Sequence, residues 1–391
     1  MREVTVQDMK DYLIGSAIFS NGQSERWAKS NVLIEQVQKR GLKPRLVDPK
    51  DIPNDALICS VGQRAGGGYK WAPGELDMLL GPYKEAADKR DWSCYARSIE
   101  RANRELAKLL KPEEIYAYLH GPCSSSQGIV GMFVSGVMEK PLVDGDSAGT
   151  AMSPHLTMIA KLKTRPISVG VSPFGEVMIL MDTARGRVFT ERMHYASGCW
   201  FVANAGGLAP WKDYVKCTVK NQDSRLIKVG AAVREAREKG RDPIAAFMKA
   251  APAHKLFEGV VEKFIHDKAN GRALGFFHIN GTGEYKGHKF SVYANNENRV
   301  GWLDGEPCIT IPDIIGVVDS KTCETQPVLD HNGDKIKTGV YDGKHVTILG
   351  IAGDKLWYDT PGGIDSVNKQ LEAFGFPFVK HKPLSEFLKK K

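Results

Sequence analysis

At 391 residues, with 42% hydrophobic and 26% charged residues, the chain is too long for a single hydrophobic core and too apolar for a disordered protein. A folded protein of two domains is therefore the default. Its net charge of +8 does not mark a nucleic-acid binder. Part of the excess lies in Lys380, Lys382 and the terminal Lys389 to Lys391, and elsewhere Lys and Arg alternate with Asp and Glu, as from Arg234 to Lys239. No basic stripe interleaved with aromatics is present, and a mildly basic surface suits an anionic small substrate instead.

Met1-Arg2-Glu3-Val4-Thr5 carries charges where a signal peptide needs an apolar core, and no apolar run approaches the ~20 residues of a membrane span. The seven cysteines are odd in number and form no CxxC pair. They read as reduced thiols, mostly small core residues, of a cytoplasmic protein with no membrane partner.

Along the chain, Ser24 is placed to cap a helix that runs to Arg40, with Val32, Ile34 and Val37 on its apolar side and Gly41 as its stop. Short buried strands follow at 44–48 and 56–61. A helix covers about 91–110, where Tyr95, Ile99, Leu106 and Leu109 recur near helical spacing. Next come a strand at 115–120, a turn at 121–128, an apolar helix to about Met138 and a strand at 141–144. That β-turn-α-β unit predicts a parallel sheet with a right-handed crossover. Beyond residue 165 a hairpin is expected around Pro173-Phe174-Gly175. Helices are expected at 223–239 and at 243–250, the latter with Asp242 as N-cap and Pro243 in its first position. From Ala273 to Gly353 short strands alternate with Gly and Asn turns. The fold class is α/β: an N-terminal domain with a parallel or mixed sheet and crossover helices, plus a β-rich C-terminal domain. The divisions fall at 1–165, 166–260 and 261–391.

Two segments carry the candidate chemistry. The turn His120-Gly-Pro-Cys-Ser-Ser-Ser-Gln-Gly128 leaves a strand and opens a helix, so free backbone N–H groups and the positive end of a helix dipole surround Cys123 and Ser124, Ser125, Ser126 and Gln127. Such a place binds an anion or lowers the pKa of a thiol. Cys123 would then act as nucleophile with His120 as proton partner, unless the serines merely cap the helix beside a buried thiol. The second segment, Val143-Asp-Gly-Asp-Ser-Ala-Gly-Thr-Ala151 closing on Pro154-His155, runs from a strand into a glycine-rich loop with two carboxylates. Asp144 and Asp146 could position water, hold a metal or bind substrate N–H groups; the alternative is that each bonds local backbone in an Asx turn. Both segments leave the carboxyl ends of strands on either side of one helix, so they are expected to face one crevice. Arg64, after a strand, and Asn298, in the Asn295-Asn-Glu-Asn298 run, are further substrate-binding candidates. No His pair has metal-ligand spacing, so the cofactor stays unassigned, with room left for a divalent metal.

Four stretches resemble the S-methyl thiohydantoin desulfurase-like family, whose members are often encoded beside hydantoinase or oxoprolinase subunits. They are PLVDGDSAGTAMSPHL at 141–156, SRLIKVGAAVREAREKGRDPIAAF at 224–247, NNENRVGW at 295–302 and EPCITIPDIIGVVDSKT at 306–322. Their order and spacing suit the family along nearly the whole chain. The chain departs from the family pattern in three places. Phe19 to Ser24 stands where relatives carry GGGG-Asp-Pro, Gly121 to Gln127 where they carry Glu-x-Gly-Gly-x-Asn, and Thr150 where an Arg is usual. The resemblance implies the scaffold, while the altered motifs leave desulfuration of a thiohydantoin in doubt.

The leading expectation is a hydrolase-type enzyme acting on a small cyclic amide-like compound: a hydantoin, thiohydantoin, lactam or imide. Attack at a ring carbon would be assisted by the serine turn, by Asp144 and Asp146, and by Cys123 or His155. The alternative is a non-catalytic binding or partner subunit of a hydantoinase-like complex. A homo-oligomer is expected in either case.

Overall fold

The computed structural model describes residues 1–20, 27–64, 94–110, 114–152, 155–181, 201–269, 272–295, 297–325 and 340–389. Two sheets form its frame. The first is mixed, with strand order β1 (Arg2–Glu3), β2 (Arg45–Val47), β5 (Leu142–Val143), β4 (Ile115–His120), β3 (Leu57–Arg64), β9 (Val202–Pro210), β7 (Arg165–Val171) and β8 (Val177–Met181). Its centre, β2-β5-β4-β3, is parallel and both flanks are antiparallel. A parallel strand covered on both faces is apolar almost throughout, as β4 (Ile-Tyr-Ala-Tyr-Leu-His) is. The hairpin β7–β8 closes around Pro173-Phe174-Gly175, where Gly175 takes a positive φ of 97°.

The helices explain why the two candidate segments meet. Helix α1 (Val6–Phe19) opens with a capping box: the Asp8 N–H donates to Thr5 Oγ1 at 3.0 Å, and the Thr5 N–H donates to Asp8 Oδ2 at 2.9 Å. The sequence reading overlooked this helix, although Thr5-Val-Gln-Asp8 carries its start signal. Helix α2 (Trp27–Arg40) ends at Gly41, φ 61°, as expected; Ser24, its expected cap, lies outside the described residues. Helix α3 (Cys94–Leu109) shows its amphipathic face in the burial of Tyr95, Ile99 and Leu106. Helix α4 (Gln127–Met138) is apolar on all sides, and every residue from Gly128 to Val137 is buried. Helix α5 (Gln222–Glu238) packs against α1 so closely that a Cβ at Gly15 would lie 2.0 Å from the Leu226 carbonyl oxygen. A Cβ at Gly230 would lie 1.7 Å from that of Asp11. Helix α6 (Pro243–Ala250) starts as its sequence predicts, with Asp242 accepting from the Ile244 and Ala245 N–H groups at 2.8 and 3.1 Å.

The second sheet is antiparallel throughout, in the order β15 (Glu306–Thr310), β14 (Glu297–Leu303), β13 (Lys289–Asn295), β12 (Arg272–Gly281), β11 (Ala253–Ala269), β17 (His345–Ile351) and β16 (Ile314–Asp319). It curls until its ends approach: the Asn298 amide on β14 donates to the Ile315 carbonyl on β16 at 2.7 Å. One hydrophobic cluster runs from Met9 and Leu13 of α1 through α4 to Ile314, Val318 and Leu349 of this sheet. The α/β part and the β-rich part therefore share a core. Among the described residues no helix is long and apolar enough to cross a membrane.

Candidate functional site

Strands β4 and β5 lie side by side, and the two candidate segments leave their carboxyl ends together. The piece that joins them is the first turn of α5. His120, at the end of β4, is fully buried, and its Nε2 stands 3.0 Å from Asp223 Oδ1. The other Asp223 oxygen accepts the Gly145 N–H at 3.3 Å. Burial opposes a charge on the imidazole, but the carboxylates of Asp223 and Asp146 outweigh it and raise the His120 pKa.

Asp144 and Asp146 have different surroundings. Asp144 accepts the Ser224 N–H at 2.9 Å and also the Ser224 hydroxyl, while its own carbonyl accepts the Asn221 N–H at 2.8 Å. It caps α5 from a distant part of the chain. Burial, and then the charge of Asp223, push its pKa up. Asp146 uses one oxygen in an Asx turn, accepting the Ala148 and Gly149 N–H groups at 2.7 and 2.5 Å. Its Oδ2 is fully buried and has no hydrogen-bond partner among the described residues. Burial lifts the Asp146 pKa to about 7, even though His120 and the two backbone donors favour the charged form.

Cys123 is fully buried, and its thiol corrects one expectation from the sequence. A lowered pKa was expected at the start of α4, but burial, and then the charges of Asp146 and Asp223, push it well above the ordinary value. The thiol is neutral at physiological pH. Around it, the backbone and side chains of the serine turn are engaged within the protein. The Ser124 hydroxyl accepts the Gln127 N–H at 3.1 Å. At Ser125 the N–H donates to Ser20 Oγ at 3.1 Å, and the carbonyl accepts the Ser30 hydroxyl at 3.1 Å. Ser126 Oγ accepts from Gln63 Nε2 at 3.3 Å, and the Gln127 amide donates to the Gln63 carbonyl at 2.8 Å. The turn ends at Gly128, where a Cβ would come within 2.1 Å of the Tyr12 hydroxyl.

The remaining candidates are placed elsewhere. His155 stands ahead of the single helical turn Leu156–Ile159, with its Nδ1 against the Thr157 hydroxyl. Arg64 ends β3 opposite Val202, and its side chain lies outside the described residues. Asn298 belongs to the second sheet. Among the described residues no three His, Cys, Asp or Glu side chains gather into a metal-ligand set.

A cavity of about 200 Å³ opens beside the glycine-rich loop. Ala148, Gly149 and Thr150 form one wall, Phe19, Gln222 and Arg225 another, and Pro312 with residues 352–355 of the β-rich part close it. The Gln222 amide donates to the Gly149 carbonyl at 3.1 Å, fixing the loop against α5. Sequence reasoning passed over Gln222, Asp223 and Arg225. The signal it had was a polar run, Gln222-Asp-Ser-Arg225, at the start of a helix already expected from residue 223.

Residues 192–384 match the family model described as S-Me-THD-like, C-terminal domain. That span includes α5 with Gln222, Asp223 and Arg225, and the cavity wall at 352–355. No curated protein matches the chain. Among solved structures, a structural-genomics crystal structure of a protein from Chromobacterium violaceum is similar over 98% of this chain and 100% of its own, with a TM-score of 0.71 and 16% identity. At that identity the likeness speaks for the fold alone. With the family model matching through the helix that joins the candidate segments, residues 192–384 form an S-Me-THD-like C-terminal domain, and this match supports the S-methyl thiohydantoin desulfurase-like family for the chain.

Proposed function

We propose that this protein is a hydrolase-type enzyme that acts on a small cyclic amide-like compound, of the hydantoin, thiohydantoin, lactam or imide class, in the cavity beside the 148–150 loop. The observation that carries this reading is Asp146. Its Oδ2 is buried without a partner among the described residues and its pKa is lifted to about 7, which suits a group that takes and returns a proton near neutrality. The same carboxylate fixes Ala148 and Gly149 of the cavity wall, so charge and substrate contact are mechanically linked. His120 and Asp223 hold Gly145 and the loop in register behind it.

For an S-methyl thiohydantoin the balanced step is hydrolytic. Water gives a proton to Asp146 while a C–O bond forms at the ring carbon that bears sulfur. The C–S bond then breaks, and the proton returns to the departing thiolate, leaving a hydantoin and methanethiol. For a hydantoin or imide, the ring C–N bond breaks instead and the proton goes to nitrogen. The test is to incubate the purified chain with hydantoin, 2-thiohydantoin and S-methyl thiohydantoin, following released thiol and ring-opened product by mass spectrometry. Turnover of one class supports the reading; none with any of the three contradicts it.

A second reading, a non-catalytic partner subunit of a hydantoinase-like complex, is favoured by the neutral, fully buried thiol of Cys123. It predicts a stable complex with a co-encoded hydantoinase subunit on gel filtration, together with an inactive isolated chain.

A further inference from the structure

Arg225 stands on the cavity wall, half-buried, in the first turn of α5. Its guanidinium carbon lies 4.9 Å over the ring of Phe19, a cation–π contact that uses the face of the group rather than its N–H donors. Among the described residues it makes no hydrogen bond and no ion pair. Asp354, which also lines the cavity, is near enough to act on it electrostatically, yet spends Oδ1 on the Leu356 N–H at 2.9 Å. Lys355 adds a second cation at the exposed rim. The charged lining residues are thus two cations and one acid. A half-buried guanidinium seated over an aromatic ring, with no hydrogen-bond partner for its N–H groups among the described residues, is suited to recognise a planar anion through paired N–H···O bonds.

We propose that Arg225 makes this cavity selective for a ligand that carries a carboxylate, such as a hydantoin or thiohydantoin with an acidic substituent. The carboxylate docks on the guanidinium edge, and the ring rests toward Gly149 and Gln222. Phe19 acts as the shelf that orients Arg225, and Lys355 draws the anion to the rim. This rests on the reading of the cavity as the substrate site.

The test is calorimetric binding of two probes, neutral hydantoin and hydantoin-5-acetate, to the full chain. Wild type is expected to bind the anionic probe at least about tenfold more tightly, the worth of a charge-assisted bidentate contact. In Arg225→Met the ratio of the two dissociation constants should fall to within about twofold of unity. Arg225→Lys keeps the charge and should retain part of the preference, and Lys355→Met should reduce it by about two- to threefold. Equal binding of both probes by wild type, or a preference that survives Arg225→Met, overturns the proposal. If the preference holds and follows Arg225 while no probe is turned over, the hydrolase reading fails and the carboxylate site stands.

Discussion

The two loops that leave β4 and β5 look alike in sequence and are put to different use. The turn from His120 to Gly128 commits its serines and Gln127 to neighbours on three other elements: Ser20 on the end of α1, Ser30 on α2 and Gln63 on β3. The loop from Asp144 to Thr150 commits Asp144 to capping α5 but, among the described residues, leaves Asp146 Oδ2 without a partner, on a loop whose residues 148–150 line a cavity. A polar cluster at the end of a strand can therefore be structural glue or reserved chemistry. Among the described residues each loop keeps a buried side-chain atom without a hydrogen-bond partner, His120 Nδ1 in the first and Asp146 Oδ2 with Ser147 Oγ in the second. What separates them is that the first surrounds it with a serine turn bound to its neighbours, while the second sets a carboxylate that titrates near neutrality. Buried polar groups that are satisfied stabilise; one that is left over and titrates near neutrality is the better sign of function.

That contrast can be broken by substitution. The largest effect is expected for Asp146→Asn, which keeps the shape of the Asx turn but cannot take up a proton. Turnover of whichever cyclic amide proves active should fall by about 100-fold or more, with the melting temperature little changed. Gly128→Ala should act in the opposite sense, on stability. Its Cβ would meet the Tyr12 hydroxyl at 2.1 Å, so chemical denaturation should show a loss of about 2–3 kcal/mol. Asp144→Ala removes the cap of α5 and should cost about 1–2 kcal/mol. Because Gln222 to Arg225 ride on that turn, ligand binding should weaken with it, and Asp144→Asn should restore much of both. The smallest effect belongs to Ser125→Ala, which keeps the backbone bonds of Ser125 and loses only the 3.5 Å contact of its hydroxyl with Ser20 Oγ, about 0.5–1 kcal/mol of stability. A large loss of turnover with unchanged stability in that variant would move the serine turn from glue to substrate binding.

Much of the fold was legible because its signals are local. The buried run of β4, the apolar helix α4, the Asp242-Pro243 start of α6 and the Gly41 stop of α2 each declare themselves within a few residues. Asp146 was legible as part of a glycine-rich loop after a strand. The remainder of the site depends on tertiary pairing. Asp223 finds His120 across 103 positions of sequence, and Arg225 shares a cavity with residues 352–355 only because the segment that follows β17 returns to the start of α5. The pKa of Cys123 was misjudged for a related reason. A helix start suggested a positive field, but the sequence did not reveal that the thiol would be fully buried with Asp146 and Asp223 close by. Helix α1 was missed although its capping box stands in plain view, and its crossing at Gly15 and Gly230 sets where α5 begins its approach to the site.

The pH dependence of kcat/KM tests the central claim most directly. Asp146 must be deprotonated to accept a proton, and burial holds its pKa at about 7. Activity should therefore be low at pH 5 and rise through a limb near pH 7, measured as released product for wild type and Asp146→Asn in parallel. The account predicts that this limb is absent from the residual activity of Asp146→Asn. A limb of the same midpoint in the variant, or a wild-type profile flat from pH 5 to 8, would contradict it.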